Sequence, residues 1–307
     1  LAKLNMKKTW KYPKATEHIK EMIKIIQILL KKGLAYESGG SIYFAIAKFK
    51  NYGKLSRLSS RKLKSGVRVD TDEYTKDNAE DFVLWKGKKL DEPFWSAPFG
   101  EGRPGWHIEC SAMSMKYLGS TFDIHGGAVD LIFPHHENEI AQSEGATGKK
   151  FVNYFMEGEH LLVEGQKMAK SLGNFYTLRD LEEKKFNPRA LRYLVLTSHY
   201  RSKLNFTWES LRAAQNSLER LYNFVGSLKG NFSTSSKNKN IVRAPSRIYL
   251  NIKKQFETAI FNDLDTPRII AIIWNLVHQY NKNPSKFNSK DVLKLLYDFD
   301  KVLGLGL

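Results

Sequence analysis

The sequence has 307 residues, a formal net charge of +17 and a single cysteine, and 42% of its residues are hydrophobic. This length favours two domains or one large one, and the apolar and aromatic content excludes wholesale disorder. A single cysteine excludes an intrachain disulfide framework and a four-cysteine zinc site. Because no apolar run approaches the roughly 20 residues that cross a bilayer, we expect a cytoplasmic protein with no membrane partner.

The basic charge is concentrated near the start of the chain, where residues 1–64 hold 16 Lys or Arg and 3 acidic residues. A surplus of this size favours polyanionic partners, with nucleic acid first among them. The alternative is a solvated lysine-rich surface, because 36 of the 49 basic residues are Lys. Charge alone leaves both interpretations open.

The first part of the chain predicts one helix and one hairpin. Apolar residues recur at helical spacing over residues 16–32, at Ile19, Ile23, Ile26 and Leu30. A Ser-Gly-Gly turn then separates candidate strands over 34–37 and 41–45, which is typical of a β-hairpin. Residues 48–103 have weak periodicity and predict a loop-rich segment.

From residue 104 the pattern alternates between strands, glycines and helices. The predicted elements are a helix over 107–118, a strand over 121–125, a helix after Pro134, strands over 151–156 and 161–163, and a loop over 164–174. This alternation is typical of a parallel α/β sheet.

Beyond Thr177 the sequence predicts a helical bundle. The segments with helical apolar spacing are 190–197, 211–224, 248–260, 269–280 and 292–303. Residues 229–246 are rich in Gly, Asn, Ser, Thr and Lys and predict a linker. The chain is therefore expected to be an α/β portion to about residue 176 followed by helices.

The single cysteine, Cys110, is a candidate metal ligand together with two residues further along the chain. His135 and Glu139 follow Pro134, which suits a helix start. Four residues apart, they share one helix face and can hold one metal ion, and thiolate, imidazole and carboxylate are all zinc ligands. The alternative is a small core cysteine and a helix whose acidic residues stabilise its first turn.

Two further features indicate a nucleotide site. Lys167 and Lys170 lie on a Gly-containing loop with the sequence KMAKSLGN, from which two ammonium groups can reach phosphate oxygens. The alternative is an ordinary basic surface loop. The segment HGGAVD, residues 125–130, lies at the carboxyl end of a predicted strand, where ligands bind in open α/β sheets.

Three segments, residues 102–113, 122–144 and 167–180, closely resemble the cysteinyl-tRNA synthetase family of class I aminoacyl-tRNA synthetases. They contain, in this order, GRPGWHIEC, FPHHENE and a KMSKS-type loop, and the resemblance extends over nearly all of the chain. It implies a cysteine–tRNA ligase, which activates L-cysteine with ATP and Mg²⁺ to cysteinyl-adenylate. The aminoacyl group then passes to the 3′ end of tRNA(Cys).

The resemblance assigns the metal and the amino-acid pocket. Cys110, His135 and Glu139 match three ligands of one zinc ion per chain, which binds the thiolate of the substrate cysteine. A hydroxyl is a poorer zinc ligand, so serine would be rejected without editing. Trp106 matches a tryptophan beside the amino-acid pocket.

The resemblance also assigns the nucleotide contacts. His125, Gly127 and Asp130 match the strand-end residues around the aminoacyl-adenylate. Lys167 and Lys170 match the mobile lysines that steady the ATP phosphates, with Lys170 the more strongly indicated of the two.

The implied fold is the second part of a Rossmann-type catalytic domain with a connective-peptide insertion, followed by an α-helical bundle. The corresponding divisions are a helical entry over 1–33, the insertion over 34–103, the catalytic part over 104–176, and the stem-contact region and bundle that dock tRNA over 177–307. A monomer is expected.

The sequence departs from the family pattern in several places. The family's His-x-Gly-His motif and its upstream zinc-binding cysteine do not occur in this chain, and we expect them before Leu1. Ala169 replaces the first Ser of the KMSKS pattern, and Ala128 replaces a third Gly after His125. Two alternatives therefore stay open: a non-catalytic fragment that binds zinc or tRNA, and a related ligase that joins cysteine to an amino sugar.

Overall fold

The computed structural model describes residues 1–57, 81–233 and 247–307. These residues form two compact units. The first, here called the nested unit, is Trp10–Gly158, and the second, the flanking unit, combines Leu1–Thr9 with Glu159–Leu307.

Three helices of the nested unit pack against one another. They are α1 (Ile19–Lys31), α2 (Trp106–Leu118) and α3 (Glu137–Thr147). The helix predicted over 16–32 is confirmed, although it begins later because one separate helical turn, Ala15–Glu17, precedes it. The buried face of α1 consists of Met22, Ile25, Ile26 and Leu29. Of the predicted apolar stripe, only Ile26 is fully buried, and the other three residues are partly buried against the same core.

A five-stranded antiparallel sheet lies in the same unit, in the order β1-β2-β3-β5-β4. Its strands are β1 (Ala35–Ser38), β2 (Ser41–Phe44), β3 (Phe82–Gly87), β4 (Trp95–Ala97) and β5 (Gly100–Pro104). The predicted hairpin is confirmed as β1 and β2. The loop-rich prediction for 48–103 is wrong from Phe82 onward, and its residues 58–80 lie outside the described part.

Two parallel strands, β6 (Phe122–Ala128) and β7 (Val152–Gly158), form a separate sheet in the nested unit. The strand predicted over 121–125 continues through two glycines, because their backbones stay in register with β7, where Gly127 pairs with Glu157. The parallel pairing expected from the strand and helix alternation therefore occurs here. The same prediction does not describe the antiparallel sheet.

The flanking unit is mainly helical and carries a small sheet in the order β10-β8-β9. Its strands are β8 (Leu161–Val163), β9 (Gln166–Lys167) and β10 (Leu204–Phe206). Its helices are α4 (Leu178–Glu183), α5 (Pro188–Leu196), α6 (Trp208–Ser233), α7 (Arg247–Phe261), α8 (Thr266–Lys282) and α9 (Ser289–Leu303).

All five helical segments predicted beyond Thr177 are confirmed as α5 to α9. Helix α6 continues to Ser233, so the predicted linker over 229–246 is wrong at its start, and residues 234–246 lie outside the described part. Among the described helices, none is long and apolar enough to cross a membrane.

Arg192 joins the two stretches of chain that make up the flanking unit. Its guanidinium donates from Nε to the carbonyl of Leu303 and from Nη1 to the carbonyls of Leu4 and Asn5, at 3.0 and 3.2 Å. Asn5 donates in turn from Nδ2 to the carbonyl of Gly304 at 3.0 Å. The first residues of the chain are thereby attached to the end of the last helix.

Candidate metal centre

Helices α2 and α3 bring three predicted ligands together. Cys110 lies on α2, Glu139 on α3, and His135 on a short helical turn, Ile132–His136, that leads into α3. One donor atom from each of the three residues lies within 4.8 Å of the others. The structure thus places the thiol, the imidazole and the carboxylate around one point.

The position of α3 is fixed by contacts at its far end. A Cβ on Gly145 would lie 3.0 Å from Leu34 Cδ1 and 3.2 Å from Leu29 Cδ2, so a larger residue here would crowd the contact of α3 with α1 and with the residue that begins the hairpin. Lys32 donates to the carbonyls of Gly145 and Ala146 at 2.9 and 2.8 Å. A cation at a helix C-terminus satisfies free carbonyls and is favoured by the helix dipole.

Glu139 is the most enclosed ligand, with a side chain that is 0% exposed. His135 Nε2 lies 2.6 Å from one carboxylate oxygen and His125 Nε2 lies 2.9 Å from the other. Neither contact has hydrogen-bond geometry, so within the described residues both oxygens lack a hydrogen-bond partner. Burial acts to raise the pKa of Glu139, but the two imidazoles outweigh it and hold the pKa at about 2. A buried, ionised carboxylate whose two oxygens face imidazole nitrogens without forming hydrogen bonds fits a bound cation.

The environment of Cys110 also fits a bound cation. Burial, with the nearby carboxylates of Glu139 and Glu109, raises the pKa of its thiol to about 12. The thiol therefore stays protonated unless a cation binds, since coordination to a metal ion removes a thiol proton. One sulfur, one imidazole nitrogen and one carboxylate oxygen form a donor set typical of a zinc site with an open position.

Other histidines surround the three ligands. His107 Nδ1 lies 2.8 Å from His135 Nδ1 in a hydrogen bond, and metal-ligating histidines usually have their second ring nitrogen fixed in this way. Burial, then the neighbouring His135, lowers the pKa of His107 to about 3, so that its ring is neutral. A second group of potential ligands, His125, His136 and Glu139, overlaps with the first through the shared carboxylate.

His136 is held by a carboxylate of the neighbouring strand. Its Nδ1 donates to Glu157 Oε1 at 2.7 Å. Burial lowers the pKa of His136 to about 4 and raises the pKa of Glu157. A Cβ on Gly127 would lie 2.5 Å from Cε1 of His136, so glycine at this strand position makes room for the ring.

Sequence reasoning did not find His107, His136 or Glu157. His107 precedes Cys110 by three residues on one helix, so helical spacing could have indicated it. His136 is adjacent to His135, but neighbouring helical residues point in different directions. Glu157 reaches the site only because β7 pairs with β6, and no local pattern reports a pairing between distant strands.

The remaining predicted residues occupy different places. Trp106 is 59% exposed, and its ring centroid lies 4.5 Å from that of His135. Asp130 is exposed on a helical turn directly after β6. Lys167 is exposed at the end of β9, and Lys170 begins a helical turn, Lys170–Leu172, both in the flanking unit.

The fold is that of the class I tRNA synthetases, with mixed sheets and helices and a helical C-terminal region. A Campylobacter jejuni protein named as an arginyl-tRNA synthetase superposes with a TM-score of 0.59 over 99% of this chain and 64% of its own, at 15% identity. The LeuRS in a ternary complex from Agrobacterium radiobacter K84 gives 0.51 over 69% of this chain and 32% of its own, also at 15% identity. At such low identity these likenesses establish the fold alone.

Residues 1–216 match the family model described as tRNA synthetases class I (C) catalytic domain. The chain belongs to this family.

Relatives named cysteine–tRNA ligase match most of the chain. The protein from Brachyspira hyodysenteriae is 49% identical over 93% of this chain and 60% of its own length. One from Leptospira interrogans is 47% identical over 96% of this chain and 64% of its own length. The protein from Chlamydia felis is 46% identical over 99% of this chain and 65% of its own length. The chain therefore spans less than two thirds of the length of these relatives.

Proposed function

We propose that the full-length protein containing this chain is a cysteine–tRNA ligase, which activates L-cysteine with ATP and transfers it to the 3′ end of tRNA(Cys). The observation that carries the proposal is the convergence of Cys110, His135 and Glu139. This donor set occurs in a chain that is 46 to 49% identical to relatives named for this activity.

Cys110, His135 and Glu139 would hold one zinc ion. When bound, zinc supplies a Lewis acid that prefers a substrate thiolate to a hydroxyl. The buried Glu139 carboxylate contributes negative charge, and His107 fixes the ring of His135. Trp106, packed on that ring, provides an apolar wall beside the position of the amino acid.

The proposed nucleotide contacts follow the family residue by residue. His125 lies in the middle of β6 and not at its end as predicted, because the strand continues to Ala128, whereas Gly127 lies near the carboxyl end and Asp130 directly after it. Open α/β sheets bind ligands at that end, and the three residues would face the aminoacyl-adenylate. Lys167 and Lys170 would bind the phosphates of ATP, which enters with Mg²⁺, and stabilise charge that develops there during adenylate formation.

The proposed domain division follows the family. Residues 104–176 belong to the second half of a Rossmann-type domain, with 1–33 as a helical entry and 34–103 as the connective peptide. Residues 177–307 form the stem-contact region and bundle that dock tRNA, consistent with a net charge of +17. We propose a cytoplasmic monomer.

The test is exchange of radioactive pyrophosphate into ATP by the full-length protein, with cysteine or serine as the amino acid. We expect exchange with cysteine and little with serine. Exchange that is equal with both amino acids, or absent with cysteine, contradicts the proposal. A second assay with tRNA(Cys) and with an amino sugar as acceptors separates tRNA ligation from the related sugar ligase.

A further inference from the structure

The loop that carries Lys167 and Lys170 is anchored at its entrance. The amide of Gly165 donates to Asn205 Oδ1 at 2.7 Å, which fixes the tight turn between β8 and β9. Met168 packs against the core of the flanking unit, whereas Lys167 before it is exposed. The backbone is thus anchored on both sides of the first lysine.

Asn174 closes the loop from its other end. Its side-chain oxygen accepts from the amide of Ala169 at 2.8 Å, and its side-chain nitrogen donates to the carbonyl of Lys167 at 3.1 Å. Within the loop, the amide of Leu172 donates to the carbonyl of Ala169 at 3.1 Å. The carboxamide of Asn174 therefore hydrogen-bonds the backbone on both sides of Met168, once through its oxygen and once through its nitrogen. These two hydrogen bonds enclose the turn that Lys170 begins.

The segment that follows Lys170 contributes little to the core. Ser171, Leu172 and Gly173 are exposed, so the enclosed segment buries little apolar surface that could determine its shape. A short exposed segment without such a contact would sample many backbone conformations. The carboxamide of Asn174 is the group that selects one of them.

We infer that Asn174 is a positioning residue for adenylate formation: its carboxamide fixes the backbone between Lys167 and Lys170, so that both lysines reach the phosphates together. The inference rests on the proposed function, in which these lysines bind ATP. Correct placement of charged groups before reaction reduces the reorganisation needed in the transition state, so the effect belongs to the rate of the chemical step.

The experiment uses the full-length protein and cysteine-dependent pyrophosphate exchange. Asn174→Ala is compared with Lys170→Ala, with the double variant and with Asn216→Ala, which alters an exposed asparagine on α6. We expect Asn174→Ala to lower kcat about 10- to 100-fold with an unchanged KM for cysteine, and Asn216→Ala to leave both unchanged. Hydrogen exchange at the Ala169 amide should become faster in Asn174→Ala.

The double variant separates positioning from a general structural defect. If Asn174 acts through the two lysines, Asn174→Ala lowers the rate less in the Lys170→Ala background than in the wild-type protein, because only its effect on Lys167 is left there. Losses that multiply overturn the inference, as does unchanged exchange at the Ala169 amide. If Asn174→Ala has the wild-type rate while Lys170→Ala is slow, the inference is wrong and the proposed function is unaffected. A wild-type rate for Lys170→Ala contradicts the proposed function, and the inference with it.

Discussion

Glu139 contributes to both groups of candidate ligands, and its carboxylate has two imidazoles as close neighbours. A neutral amide at this position would keep the size of the side chain but remove the charge that attracts a cation. Because substitutions next to metal ligands already weaken binding by about 10- to 100-fold, we expect Glu139→Gln to weaken zinc binding at least about 10-fold.

Zinc content by elemental analysis after dialysis against a weak chelator measures this loss. Asp123→Asn is the matched control, since Asp123 is an exposed carboxylate on β6 and the same chemical change there should leave the zinc content intact. Full zinc occupancy in Glu139→Gln would remove this residue from the ligand set.

Two adjacent glycines of β6 offer a second test at the scale of single residues. A Cβ on Gly127 would lie 2.5 and 2.8 Å from Cε1 and Nε2 of His136, whereas a Cβ on Gly126 would lie 3.8 Å from its nearest neighbour, the carbonyl oxygen of Met156. We expect Gly127→Ala to destabilise the protein by about 1–3 kcal/mol through overpacking.

Gly126→Ala should be neutral or slightly stabilising, because alanine loses less backbone entropy than glycine on folding. Urea unfolding monitored by fluorescence compares the two variants. Equal unfolding midpoints for both would show that the ring of His136 can move aside.

Only part of this site could be predicted from the sequence. The spacing of His135 and Glu139 indicates a shared helix face, and that face is present in the structure. The contact between His136 and Glu157 depends on the register of two strands, which single-sequence patterns do not contain. A local pattern thus finds ligands on one element and misses groups delivered by tertiary pairing.

Among the elements, α5 has a start that follows directly from its sequence. Asn187 precedes Pro188, and its side-chain oxygen accepts from the amide of Arg189 at 2.9 Å. This N-cap satisfies an amide that the helix itself leaves unpaired. We expect Asn187→Ala to destabilise the flanking unit by about 1 kcal/mol.

Asn187→Asp is the matched variant, since a carboxylate accepts the same hydrogen bond and also favours a helix start. Hydrogen exchange of amides in α5 measures the local free energy of opening. We expect faster exchange in Asn187→Ala and wild-type exchange in Asn187→Asp. Equal rates in all three proteins would show that the cap does not limit opening of α5.

The helices α5 to α9 were predictable and the strands β3, β4 and β5 were not, for a physical reason. The helices α5 to α9 repeat their apolar positions over several turns, so each sequence contains its own signal. Strands β3, β4 and β5 are three to six residues long, and β3 is stabilised by β2 and β5 on either side. Both partners are distant from β3 in sequence, since β2 ends at Phe44 and β5 begins only at Gly100.

At the scale of the whole molecule, Arg192 connects stretches at opposite ends of the sequence. Lysine keeps the positive charge but presents a single terminal nitrogen in place of the planar guanidinium. One ammonium nitrogen can donate to several carbonyls that lie close together, but it cannot occupy the separate positions of Nε and Nη1. We expect Arg192→Lys to destabilise the flanking unit by about 1–3 kcal/mol.

The measurement is limited proteolysis near residues 4–6 together with urea unfolding. Arg212→Lys, which alters an exposed arginine on α6, is the control and should leave both results unchanged. If Arg192→Lys resists protease as the wild-type chain does, the contacts of the guanidinium do not secure the first residues.

The flanking unit combines two separate stretches of chain, so the order of synthesis determines when its contacts can form. Residues Trp10–Gly158 form a continuous stretch, so every part of the nested unit leaves the ribosome before residue 159. The carbonyls of Leu4 and Asn5 must wait for Arg192, and Asn5 must wait for Gly304. At about 5–20 residues per second, roughly 15–60 s separate the synthesis of Asn5 from that of Gly304. The nascent chain is accessible to chaperones during that time.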